Sequence, residues 1–127
     1  MKKMLYIIGP VTGKPDNNIA AFEAARKTLC EAGYDARIPQ DFIAADATHE
    51  EAMRISLSVI LKNTSTLPGY WLPSAPAKTM PQLIFDGLAV LEGAEDSPGA
   101  TTEIIVADAI GLPMKIIDEW VDEAASE

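Results

Sequence analysis

The residues best equipped for chemistry stand together in segment 96–103, DSPGATTE. A Ser, a Pro-Gly turn and a Glu occur where an apolar, strand-like run at 87–91 hands over to a helix-like run ending at Gly111. In an open α/β sheet, the carboxyl ends of strands and the amino ends of the following helices form the ligand crevice. A carboxylate near the first turn of such a helix is expected to be held ionised by the helix dipole and backbone donors, which suits a nucleophile better than a proton donor. Glu103 is therefore the leading catalytic candidate. Asp86, at the start of the 87–91 run, is the second carboxylate, with Asp96 behind it. The start of a parallel strand lies opposite the usual crevice, which favours a structural cap or an anchor for the preceding segment as the role of Asp86 over a catalytic one.

A second candidate is the loop 9–13, GPVTG. It lacks the Gly-Lys-Ser/Thr ending of a phosphate-binding loop and the spacing of a dinucleotide fingerprint, so no nucleotide cofactor is expected. Gly9, Pro10, Thr12 and Gly13 still offer a backbone that can approach a ligand closely, with N–H and hydroxyl donors; a plain turn is the alternative. His49 is the only histidine and follows a helix cap, with no second His or Cys to join it, so no metal is expected.

The elements that must position these residues alternate along the chain. A short apolar run at 4–8, bounded by Gly9-Pro10, suits a strand buried on both faces at the centre of a parallel sheet. Asn17 or Asn18 can cap a helix whose apolar side is Ile19, Phe22, Ala25 and Leu29, with Gly33 as its stop. A strand at 34–38 closes at Pro39. Thr48 and Glu51 form a capping box before a helix over 50–61, with Ala52, Met53, Ile55, Ile60 and Leu61 as its apolar positions. Four prolines, Pro68, Pro73, Pro76 and Pro81, then interrupt the pattern, making 63–82 an insertion, lid or arm. A strand at 84–91, a helix at 101–110 closed by Gly111 and Pro113, and a strand at 114–117 complete it. The acidic tail, 118–127, reads as a solvated cap docked through Trp120 and Val121. This order predicts one α/β domain over 1–127: a flavodoxin- or Rossmann-like three-layer sandwich with a mainly parallel sheet and a Pro-rich insertion.

Composition limits function. The chain has 127 residues, 48% of them hydrophobic, enough for one domain with a core. A formal charge of −9 opposes binding to nucleic-acid polymers or anionic membranes and favours a small ligand. The single Cys30 reads as a buried thiol in a reducing compartment. Met1-Lys2-Lys3 precedes only a short apolar run, so neither a signal peptide nor a membrane span is expected, and the expected location is cytoplasmic.

Taken together, YIIGPVTG at 6–13, Met53-Arg54, Asp86 and the Ser97-Pro98-Gly99-Ala100 turn leading to Glu103 resemble the phage and bacterial branch of the nucleoside 2-deoxyribosyltransferase-like superfamily. The resemblance leaves out the Pro-rich insertion and the acidic tail. It implies a flavodoxin-like fold and chemistry at an N-glycosidic bond. In such relatives a Glu at the place of Glu103 attacks C1′ of a (deoxy)ribosyl group, and water or another base resolves the covalent intermediate. A second group must protonate the leaving base. The resemblance also implies that Tyr6 hydrogen-bonds the nucleophile, where the residue alone reads equally as a core aromatic.

Ser97 bears on the substrate. Relatives acting on free nucleosides carry an Asp six residues before the Glu, whereas nucleotide N-hydrolases carry a Ser that helps hold a 5′-phosphate. A hydroxyl donates to phosphate where a carboxylate would repel it, so Ser97 points to a nucleoside 5′-monophosphate. Asp96 next door would restore the Asp after a one-residue slip, and Ser97 also fits the N-cap of a helix begun by Pro98. Asp96, Ser97, Gly99 and Ala100 thus join the 9–13 loop as candidate substrate contacts.

The chain departs from the branch in having Leu91-Glu92-Gly93-Ala94 and Pro98 where an aromatic platform and a basic residue are usual. Tyr70 or Trp71 of the insertion could restore the aromatic, and Arg54 could reach a phosphate or pair with Glu50 or Glu51. The partner implied is a small-molecule nucleoside or nucleotide, with a homo-oligomer expected because sites in this superfamily are often completed by a neighbouring subunit. The rival expectation is an inactive binding or regulatory protein that keeps the pocket, and a third is an interaction module built on the insertion.

Overall fold

The computed structural model describes residues 2–11, 13–62 and 85–126. Thr12, Tyr70, Trp71 and the 63–82 insertion lie outside these residues.

Alternation of side chains along short apolar strands requires two covering layers, and both are present. Strand β1 (Met4–Ile8) pairs in parallel with β2 (Asp35–Arg37) on one side and β3 (Gly87–Val90) on the other, and β3 pairs in parallel with β4 (Met114–Ile116). The sheet order is β2-β1-β3-β4, which places β1 inside the sheet as its double burial demands. Leu5, Ile7 and Ala89 face α1 (Ile19–Glu31) and α4 (Ile117–Ala125), where Phe22, Leu29 and Trp120 complete one core. Tyr6, Ile8 and Leu88 face α2 (His49–Lys62) and α3 (Pro98–Ala109), where Ile60, Ala107, Phe85 and Leu112 complete the other. The chain is thus a three-layer α/β sandwich with a parallel, flavodoxin- or Rossmann-like sheet.

Local signals explain most boundaries. Gly33 ends α1 in the left-handed region (φ 106°). The Thr48 hydroxyl accepts the Glu51 N–H while Glu51 accepts the Thr48 N–H, closing the expected capping box. Trp120 docks the acidic tail: its Nε1 donates to the Leu88 carbonyl at 2.8 Å, and Tyr34 Oη donates to the Trp120 carbonyl at 2.6 Å. Gly87 makes that docking possible, because a Cβ there would lie 2.5 Å from Trp120 Cζ2.

Several expectations are corrected. Cys30 is exposed, not buried: α1 buries the stripe Phe22, Ala25 and Leu29, and Cys30 lies one residue, about 100°, off it. Asn18 occupies the N-cap position of α1 without capping; at φ 62° its side chain instead donates to the Pro10 carbonyl at 2.8 Å. In α2, Ile55 and Leu61 are exposed, and the buried positions are Ser56 and Ile60. Helix α3 starts at Pro98, not Thr101, since Ser97 caps it and proline suits the first helical position. The third strand is shorter than 84–91, and no helix among the described residues is long and apolar enough to cross a membrane.

Candidate functional site

With β2 and β3 on opposite sides of β1, the topology reverses between β1 and β3, and the crevice of such a sheet lies beyond their carboxyl ends. There the Leu91 N–H donates to the Ile8 carbonyl at 2.9 Å, holding the two exits together. Gly9 follows at once, and a Cβ on it would stand 2.7 Å from Leu91 Cβ. Its missing side chain therefore serves strand packing. Pro10 is buried beside Gly93, whereas Gly13 (φ 82°) is an exposed turn residue with open space around it.

The β3 exit continues through a short turn at Ala94–Asp96 into α3. Asp96 is exposed, and Ser97 is the N-cap, its Oγ accepting the Ala100 N–H at 3.3 Å. Gly99 brings α3 close to α2: a Cβ there would lie 3.1 Å from Met53 Sδ and 3.6 Å from His49 Cε1. Ala100 is buried, and both His49 and Arg54 are exposed.

One turn beyond Gly99, on the same side of α3, Glu103 enters the protein interior at 6% exposure. Its carboxylate accepts a short hydrogen bond from Ser56 Oγ of α2. Ser56 Oγ in turn lies 2.8 Å from Tyr6 Oη of β1, whose ring packs on Phe42 and Phe85. The structure thus links Tyr6 to Glu103, but through Ser56, a residue the sequence reasoning passed over. The available signal was Ser56 standing in the stripe Met53, Ser56, Ile60, where a hydroxyl interrupts an otherwise apolar face.

Burial decides the electrostatics. The Glu103 carboxyl is pushed up to about 7 by loss of solvation, with the Ser56 hydrogen bond opposing. The expected dipole-held ionisation does not prevail because Glu103 is the sixth residue of α3, and the dipole acts mainly within the first turn. Tyr6 is raised well above the ordinary phenol range, first by burial and then by the negative charge of Glu103. Near neutral pH the carboxyl is therefore present in both charged and neutral forms.

Asp86 is placed elsewhere. Its Oδ2 accepts the Met4 N–H at 2.9 Å and its own N–H donates to the Met4 carbonyl at 2.7 Å, at the amino ends of β1 and β3. That is the end of the sheet opposite the exits that lead to Ser97, and the structure does not bring Asp86 to Glu103. Tyr6 and Glu103 are brought together through Ser56, while Gly9, Pro10 and Ser97 stand on the segments that follow β1 and β3.

The model of the family described as "Domain of unknown function (DUF4406)" matches residues 3–79. The chain belongs to the DUF4406 family. The DUF4406 match contains Tyr6, the 9–13 loop and Ser56, extends over most of the Pro-rich segment, and stops before Asp86 and Glu103. No curated protein and no solved structure matches the chain.

Proposed function

We propose that this DUF4406 protein cleaves or transfers at the N-glycosidic bond of a nucleoside or nucleoside 5′-monophosphate, with Glu103 as nucleophile. The observation that carries the proposal is a buried carboxylate on α3 held by a hydroxyl that a tyrosine of β1 contacts. A Glu103 oxygen attacks C1′, the C1′–N bond breaks with its electron pair leaving on the base, and the base takes up a proton from solvent water. Water, or a second base, then attacks C1′, gives up its proton to solvent and releases the carboxylate. In low-dielectric surroundings the negative charge of Glu103 stabilises the oxocarbenium-like states on either side of the ester more than a solvated carboxylate would.

Ser97 supports a nucleotide over a free nucleoside. As N-cap, Ser97 uses its oxygen as an acceptor, so its single hydroxyl proton is free to be donated to a phosphate oxygen. The amino end of α3 adds the Gly99 N–H and a positive partial charge next to Ser97, and Gly9, Pro10, Thr12, Gly13, Asp96, Gly99 and Ala100 are the substrate contacts of this proposal. A homo-oligomer belongs to the same proposal.

Release of free base from nucleosides and from ribo- and deoxynucleoside 5′-monophosphates tests it, with wild type beside Glu103→Ala. Base release that falls to background in the variant is the expected result. The near-complete burial of Glu103 favours one other reading, a pocket that binds the same ligands without turnover. Thermal stabilisation by a nucleotide with no base release from either protein would select it.

A further inference from the structure

Ser56 has no local reason to be where it is. It is 4% exposed, on the α2 stripe between Met53 and Ile60, and it makes no cap or turn. A serine hydroxyl has one proton, so contacts to both Tyr6 Oη and Glu103 Oε2 impose an order on them. When Glu103 is ionised, Ser56 must donate to it, and the Tyr6 hydroxyl must donate to Ser56. When Glu103 is protonated, the same chain can run in reverse. Tyr6 itself is wedged between Phe42 and Phe85, which gives the chain a rigid end in the sheet.

We propose that Ser56 is the positioning residue of this site: it orients the Glu103 carboxylate and stabilises its ionised form inside an apolar surround, with Tyr6 fixing the direction of the Ser56 hydroxyl. The inference deepens the glycosidic reading above and rests on it for the role of Glu103, although the hydrogen-bond chain itself does not. Among the described residues, the titratable groups around this cluster are Tyr6 from β1 and Asp41, which acts on Tyr6 from the segment after β2, with His49 at the start of α2 near Gly99. Among the described residues, only Ser56 donates directly to Glu103.

The experiment is a carbon-detected titration of the Glu103 side-chain carboxyl in the full chain, for wild type, Ser56→Ala, Ser56→Thr and Tyr6→Phe, with base-release rates against pH on the same samples. Loss of a hydrogen bond to a charged group raises the Ser56→Ala midpoint by about one to two pH units. Ser56→Thr keeps the hydroxyl and holds the midpoint near wild type, and Tyr6→Phe raises it by less than Ser56→Ala does. In a turning-over enzyme the rising limb of kcat moves with the midpoint while KM stays within about twofold. An unchanged midpoint in Ser56→Ala overturns the proposal. If Ser56→Ala does not fold, equal midpoints in wild type and Tyr6→Phe overturn it instead. A shifted midpoint without base release from any variant keeps Ser56 as the positioning residue and removes the glycosidic reading; base release with an unshifted midpoint does the reverse.

Discussion

Replacing Glu103 by Gln should stabilise the protein above neutral pH and leave it nearly unchanged in acid. The ordinary value of 4.5 for this carboxyl is raised to about 7 by burial in the native state. Between those two values the native chain binds more protons than the unfolded chain, so the contribution of Glu103 to stability falls as pH rises. It is fully present below about 4.5 and lost as pH passes about 7. At about 1.4 kcal/mol per pH unit, the ionised carboxylate costs about 3 kcal/mol at pH 8 relative to its protonated form. Gln has the same shape, cannot ionise, and still offers an oxygen to the Ser56 hydroxyl. Urea unfolding of wild type and Glu103→Gln at half-unit steps from pH 4.5 to 8.5 isolates this term, since every other titrating group is common to both. The stability difference should grow from near zero to about 3 kcal/mol in favour of Gln, with its midpoint inside that window. A flat difference, or one that turns against Gln as pH rises, would refute the argument that desolvation dominates at Glu103.

Features that could be read from the sequence are those encoded within one or two helical turns. The apolar run of β1 between a charged start and Gly9-Pro10 specifies a central strand by itself, and the Thr48–Glu51 box carries its own hydrogen-bond partners. The stripe of Phe22, Ala25 and Leu29 also suffices to orient α1. Ser97 was legible as a cap because the Pro at the next position and the N–H of Ala100 are local to it. From these pieces the parallel order and the position of Glu103 at the crevice follow by topology.

The remainder depends on contacts distant in sequence. Ser56 means nothing until Tyr6 and Glu103, 50 and 47 residues away, meet at its hydroxyl. The protonation of Glu103 was misjudged for the same reason, because position within a helix predicts a dipole effect whereas burial comes from two other elements. Gly9 could be recognised as a place of close approach, but whether a ligand or Leu91 approaches it is a property of the assembled strands. Cys30 shows the limit of apolar periodicity, since an offset of one residue separates the core-facing stripe from solvent.

Two further predictions probe the frame around the site. Ser97→Ala removes the N-cap of α3 and should cost about 1 kcal/mol in urea unfolding, and on the proposed function it should also raise KM for nucleoside 5′-monophosphates more than for nucleosides. Gly87→Ala tests how the tail is held: its Cβ would stand 2.5 Å and 2.7 Å from Trp120 ring carbons and 3.1 Å from the Pro113 carbonyl. The ring cannot swing away cheaply, being 2% exposed and tied by Nε1 to the Leu88 carbonyl at 2.8 Å, so overpacking should cost about 1–3 kcal/mol. The cost should shrink when Gly87→Ala is combined with Trp120→Phe, because the smaller ring vacates the space that the Ala methyl needs while Phe alone already forfeits the hydrogen bond. Additive losses in that double-mutant cycle would mean that Gly87 and Trp120 do not constrain each other, and α4 would then have to be docked by Tyr34 and the rest of its apolar face.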